Sequence, residues 1–146
     1  MEELARATAK DREEIAALLA ASGLTHDDAA LRLDRLTVAR SGSRVVGVVG
    51  LEVHGGDGLV RSLAVAQDHR GKGVARRLYV SVLAEAARLG LARLFVLTPT
   101  AIAWFALLGF RAVAADGVPD ALRASPEYRA LTARGAKLIF RPMRRA

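Results

Sequence analysis

The stretch "LVRSLAVAQDHRGKGVARRL" (Leu59–Leu78) constrains the fold of this chain more than any other. Its first part, Leu59–Ala66, is an apolar run of strand type. Two glycines follow, Gly71 and Gly73, and then a helical pattern from Gly73 to Leu89. In that pattern Val74, Leu78, Val82, Leu83, Ala86 and Leu89 share one face. A buried strand that turns through glycines into a long amphipathic helix is a unit of mixed α/β architecture.

The turn also has a chemical character. The first N–H groups of a helix have no internal partner and attract phosphate. Glycines let the backbone approach phosphate oxygens closely. Arg70, Lys72, Arg76 and Arg77 add positive charge. A P-loop is excluded, because Gly73-Val74-Ala75 follows Lys72 where that motif needs Ser or Thr. The three-glycine dinucleotide fingerprint is absent too. Two glycines alone also fit an ordinary strand-to-helix turn with solvated arginines.

The rest of the chain is organised around this unit. Leu4–Thr8 reads as a first strand, and Asp11 as the cap of a helix whose face is Ile15, Leu18 and Leu19. Thr25–Leu33 reads as a second short helix. Strands are expected at Leu36–Arg40 and Arg44–Val53, joined by a turn, with "HGGDG" (His54–Gly58) turning into the Leu59 strand. After the long helix come a strand at Leu91–Leu97, a helix at Thr98–Phe110 and a strand at Phe110–Ala114. Short helical turns at Asp116–Leu131 and a last strand at Ala136–Met143 complete the order. Nearly continuous apolarity in the central strands predicts a sheet covered on both faces. The expected fold is one mixed α/β domain over residues 1–146.

Composition narrows the chemistry. The 146 residues contain no cysteine, which excludes disulfides, thiolate metal sites and a cysteine nucleophile. His26, His54 and His69 show no metal-ligand spacing. A net charge of +7 raises a polyanion partner, but few aromatics interleave with the arginines, so nucleic acid is not expected as the main partner. No apolar run reaches the ~20 residues that span a bilayer, and the charged "MEELARATAKDREE" lacks a signal core. The expected location is the cytoplasm, away from membranes.

The loop and its flanks resemble the GNAT acyltransferases. That family's pyrophosphate loop reads Gln/Arg-x-x-Gly-x-Gly/Ala, which Arg70, Gly73 and Ala75 match. "SLAV" (Ser62–Val65), "RRL" (Arg76–Leu78) and "WFALLGF" (Trp104–Phe110) are similar to further family segments, and the resemblance covers about Val38 to Ala114. It implies a central, mostly antiparallel twisted sheet of six to seven strands with about four helices. It also implies acetyl-CoA as cosubstrate, with no metal. "LFVLTPTAIAWFALLGF" with "VPDALRASPEYRAL" looks like the amino-acid N-acetyltransferase branch, which includes N-acetylglutamate synthase domains. "LEVHG", "VRSLAV" and "VPDALRASPEY" look closest to its arsenic-resistance members.

Carried over residue by residue, the resemblance implies that Arg70, Gly71, Lys72, Gly73, Val74, Ala75 and Arg76 take the pyrophosphate. The main chain of Leu63, Ala64 and Val65 would hold the pantetheine arm, with a donor near Leu63 or Ala64 for the thioester oxygen. Two positions depart from the pattern. Arg61 stands where many members carry a basic-site glutamate, and Phe105 where many carry an acid tyrosine. Glu52 is then the first candidate base and His54 the second. Tyr128 is the candidate acid. Arg61 is the candidate grip on an acceptor carboxylate, unless it pairs with Glu52 or Asp57. Arg123 on the C-terminal flap and Thr98, also a helix cap, are further acceptor candidates. The expected acceptor is a small amine of amino-acid type, and a homodimer is compatible with this reading. A protein N-terminal or lysine acetyltransferase and a non-catalytic coenzyme-A-binding domain are the competing readings.

Overall fold

The computed structural model describes residues 1–24 and 32–143. Seven strands form one sheet: β1 (Glu3–Arg6), β2 (Leu36–Ser41), β3 (Arg44–His54), β4 (Asp57–Val65), β5 (Arg93–Thr98), β6 (Arg111–Ala112) and β7 (Lys137–Pro142). Their order is β1-β2-β3-β4-β5-β7-β6. The β4–β5 pair is parallel, whereas β1–β2, β2–β3, β5–β7 and β6–β7 are antiparallel. Among the described residues there are five α-helices: α1 (Arg12–Ala21), α2 (Val74–Arg88), α3 (Ile102–Ala106), α4 (Asp120–Arg123) and α5 (Pro126–Thr132). The mixed, mostly antiparallel architecture is the expected one. The helix expected at Thr25–Leu33 lies largely outside the described residues. Leu33–Arg35, at its end, is a 3-10 turn.

The chain divides into two compact units, Met1–Leu51 with Arg61–Glu85, and Glu52–Val60 with the chain from Ala86. In the first unit, α1 buries Ile15, Leu18 and Leu19. Asp11 does not cap α1 through its side chain as the sequence suggests. Its carboxylate instead accepts from the N–H and hydroxyl of Thr8 (2.8 and 3.2 Å) and from Arg40 on β2. Glu14 accepts from the Val45 N–H (3.0 Å), which ties α1 to the start of β3.

The strand β3 is buried from Val45 to Leu51, as its unbroken apolarity predicts. Its Gly47 lets α2 approach very closely. A Cβ there would lie 2.9 Å from the Leu78 Cδ1 and 3.1 Å from the Val74 Cγ1. The buried face of α2 is Val74, Leu78, Tyr79, Val82 and Ala86. Leu89, expected on that face, is 40% exposed just past the helix end, and Tyr79 lies inside instead.

In the second unit, β5 pairs with Asp57–Val60 of β4 on one side and with β7 on the other. Leu59, Phe95 and Leu122 form its buried centre, with Leu97, Val113, Val118, Leu138 and Phe140 packed against them. Arg93 holds Asp57 with two bonds of 2.9 Å, fixing the start of the parallel pair. The expected helix over Thr98–Phe110 shortens to Ile102–Ala106. The buried Thr98 hydroxyl accepts from the N–H groups of Thr100 (3.3 Å) and Ala101 (2.8 Å), making a turn where helix was expected.

Two expectations follow. Gly47→Val should destabilise the protein by about 1–3 kcal/mol through overpacking, read from chemical denaturation, because both neighbours are themselves buried. Burial pushes the Asp11 carboxyl up. The bond from the Thr8 N–H, the Arg40 charge and the two side-chain bonds outweigh it and hold the group below its ordinary value. A depressed carboxyl contributes stability that is complete above the unfolded value of about 3.9 and is lost as pH falls through the folded one. Denaturation midpoints should therefore drop in that acid window, and Asp11→Asn should flatten the drop.

Candidate functional site

In the first unit, β4 leads through a 3-10 turn at Gln67–His69 into residues 70–73 and then α2. The N–H of Ala66 donates to the Val46 carbonyl (2.8 Å), holding the end of β4 on β3. Gly71 (φ 76°) and Gly73 (φ 83°) are both left-handed, the conformation that favours glycine. A Cβ at either would meet nothing within 4 Å, so the turn is open on its outer side. The N–H of Arg77 closes the first turn of α2 on the Gly73 carbonyl (3.1 Å). The N–H groups from Gly73 to Arg76 therefore precede the internal ladder of a 15-residue helix. Helix N–H groups without an internal acceptor attract phosphate.

The basic residues around it differ in disposition. Arg70 donates from Nε to the Val65 carbonyl (3.0 Å), so its side chain folds back and braces the end of β4. Lys72 and Arg76 are exposed. Arg77 donates to the Glu2 main-chain carbonyl (2.7 Å) and pairs with the Glu2 carboxylate (3.3 Å). Asp68 receives two bonds from Arg44 (2.8 and 3.1 Å) and one contact from His69 Nδ1 (3.2 Å). The Arg44 bonds first, and the His69 bond second, hold the Asp68 carboxyl well below the usual carboxylate range.

Upstream on β4, Leu63 is half-buried and Ala64 and Val65 are buried. The parallel register with β5 runs from Asp57↔Arg93 to Val60↔Val96, and Leu63–Val65 lie beyond it. Ser62 has φ 59°, a left-handed non-glycine residue inside a strand. Such a residue kinks the strand and re-aims the groups beside it. No periodic signal marks it in the sequence. Arg61 is half-buried, donates to the Ser62 hydroxyl (3.3 Å) and lays its stem over Gly50, where a Cβ would come within 3.2 Å of its Cγ. Gly50 is thus a positioning glycine that the sequence reading passed over as part of a strand.

The second unit holds the other candidates. Glu52 and His54 meet at the end of β3, with Oε1 2.8 Å from Nε2. Their side chains are 23% and 21% exposed, shielded without being cut off from solvent. Asp57 accepts two bonds from Arg93 (both 2.9 Å). Thr98 is 5% exposed and its oxygen is committed to the turn before α3. Arg123 is exposed and donates to the Val118 carbonyl (3.4 Å). Tyr128 is half-buried in α5, whose cap Ser125 accepts from its N–H (3.5 Å). Phe105 is buried, edge-on to Trp104 (4.9 Å) and Phe110 (5.2 Å). It is a core ring with no proton to give. No group of three or more His, Asp or Glu suited to a metal occurs among the described residues. No helix among them is long and apolar enough to cross a membrane.

Solved structures share this fold. N-acetylglutamate synthase from Neisseria gonorrhoeae, solved with coenzyme A and N-acetyl-glutamate, superposes with a TM-score of 0.88 at 25% identity. The match covers 99% of this chain and 36% of that one, so the chain spans about a third of that relative's length. Rv2747 from Mycobacterium tuberculosis, solved with coenzyme A, gives 0.80 at 24% identity, covering 96% of this chain and 98% of that one. The ribosomal-protein-S18-alanine N-acetyltransferase from Escherichia coli gives 0.67 at 16% identity, covering 100% and 96%, and shares the fold. Residues 32–112 match the family model of the Acetyltransferase (GNAT) domain, more than half of the chain. The chain belongs to the GNAT acetyltransferase family.

Proposed function

We propose that this chain is an acetyl-CoA-dependent N-acetyltransferase whose acceptor is the primary amine of a small amino-acid-like molecule. The observation that carries the first half is the turn between β4 and α2, where two left-handed glycines lead into the first N–H groups of a 15-residue helix. Coenzyme A in the N. gonorrhoeae and M. tuberculosis relatives supports the donor, and N-acetyl-glutamate in the former supports the acceptor class.

Acetyl-CoA supplies an acyl group activated as a thioester. The chain's own residues have three tasks. Residues Arg70–Arg76 bind pyrophosphate through main-chain N–H groups, with Lys72 and Arg76 adding charge. The main chain of Leu63–Val65, past the end of the β5 register, receives the pantetheine arm as an added strand, and an N–H at Leu63 or Ala64 faces the thioester oxygen. Glu52, bonded to His54, takes the proton that an ammonium must lose before its lone pair can attack. The new C–N bond then replaces the C–S bond, the thiolate leaves with its electron pair, and the second proton shed by the nitrogen neutralises that thiolate. A thiol's pKa of about 8.5 makes that departure feasible without a strong acid, which suits the apolar Phe105. Tyr128 is the remaining candidate acid. Arg61 grips the acceptor's carboxylate, and Arg123 is a secondary contact. Thr98 we assign to its turn.

Thiol release with a panel of amino acids and short peptides tests the whole reading. Release with an amino acid supports it, and release with peptides alone favours a protein acetyltransferase. Binding of coenzyme A without any release favours a regulatory domain, a reading that the buried Phe105 and the Arg61 substitution keep in view. Two variants sharpen the assignment. Gly73→Ala forces a side chain into a left-handed position and should weaken coenzyme A binding by about tenfold, since such strain costs about 1–2 kcal/mol. Arg61→Ala should raise the acceptor KM by about tenfold or more while acetyl-CoA affinity stays unchanged. Loss of acetyl-CoA affinity instead would mean that Arg61 is wrongly placed.

A further inference from the structure

Two ion pairs join the first strand to the long helix, and they are of opposite sense. Glu2, just before β1, pairs with Arg77 on α2. Arg6, at the end of β1, pairs with Glu85 on α2 (3.2 Å). Glu2 and Arg6 are separated by about 13 Å of extended chain, at ~3.3 Å per residue. Arg77 and Glu85 are separated by about 12 Å of helix, at 1.5 Å per residue. The two spans match, so both pairs close in one register. Sliding α2 by a single turn would break both, and the acid–base, base–acid order opposes any register that brings like charges together.

Arg77 is also the residue whose N–H closes the first turn of α2 on Gly73. Its guanidinium is engaged twice by Glu2, by carboxylate and by main-chain carbonyl. Glu2 further lies 4.0 Å from His69 Nε2, and His69 in turn contacts Asp68, which Arg44 holds on β3. Gly71 and Gly73 themselves have no packing on the side where a Cβ would stand. The turn is therefore located by charged side chains around it, with Arg77 at its helical end.

We propose that Glu2 and Arg77 are positioning residues for the donor's phosphates: the pair fixes the register of α2 on β1 and so the place of the N–H groups of Gly73–Arg76. Arg77 acts through the helix it anchors and is not a phosphate ligand, despite its location among the basic residues of the loop. This inference rests on the acetyl-CoA reading above.

A double-mutant cycle on the full chain tests it, with coenzyme A binding measured by calorimetry. Arg77→Ala should weaken binding by about tenfold, Glu2→Ala should weaken it in the same direction, and the double variant should be no weaker than Arg77→Ala alone. At saturating acetyl-CoA, kcat and the acceptor KM should be those of the wild type. Should Arg77→Ala fail to fold, Arg77→Lys serves: loss of affinity with the charge retained supports the brace, and wild-type affinity counts against it. Glu2→Ala binding as tightly as the wild type, or more tightly, overturns the proposal, because a direct phosphate ligand released from its acid would bind better. Additive losses in the double variant overturn it as well. A wild-type protein that binds no coenzyme A overturns the acetyl-CoA reading and this inference together, whereas wild-type binding with an indifferent Glu2→Ala variant overturns the inference alone.

Discussion

The approach of α2 to β3 at Gly47 is the constraint on which the first unit depends. With Leu78 and Val74 already at contact with the place a Cβ would take, the helix axis is set by the absence of a side chain. A glycine inside a strand normally weakens it. Here the strand is held on one side by the β2 ladder, and the gain is a helix seated close to the sheet. That seat decides where the first N–H groups of α2 emerge. Everything proposed for the donor turn follows from it: the left-handed glycines let the chain reach α2, and the arginine at the turn's start folds back on β4.

Carboxylates do a second kind of work. Asp11, Asp57 and Asp68 each hold an arginine from another element, and in each case the bond fixes a junction: α1 with β2, the start of the parallel pair, and the donor turn with β3. The exposed Arg44–Asp68 pair contributes little to stability by itself, but all three pairs are directional. In a protein without disulfides or metal clusters among its described residues, they set registers that packing alone leaves free to slide.

Much of this was legible in the sequence. Nearly continuous apolar runs located the central strands, 3.6-period apolarity located α2, and the pair of glycines located the turn. The family resemblance rested on the same residues. The failures share a physical cause. Gly47 and Gly50 sit in an apolar strand and look like part of it, because a close approach is a property of the partner element. Ser62 adopts a conformation that its residue type does not advertise. The Glu2–Arg77 pair spans 75 positions, so no local pattern reveals it. Thr98 looked able to start a helix and instead makes a turn, because its hydroxyl competes for the same N–H groups that a helix would use. The acceptor residues were the least legible, since the family pattern is broken at Arg61 and Phe105.

The net charge of +7 takes on a different meaning once the arginines are placed. At the donor turn, Arg70 is bonded to a carbonyl and Arg77 to Glu2, while Arg70, Lys72 and Arg76 are all exposed. On the proposed reading, an anion arriving there meets an array of peptide dipoles and exposed cations. Screening over a Debye length of about 8 Å at physiological ionic strength acts on the cations far more than on dipoles in direct contact. Capture of a phosphate should accordingly slow as salt is added, while its retention, once seated, depends little on the medium. On that reading, the basic composition governs how quickly a ligand arrives, and the neutral backbone governs how long it stays.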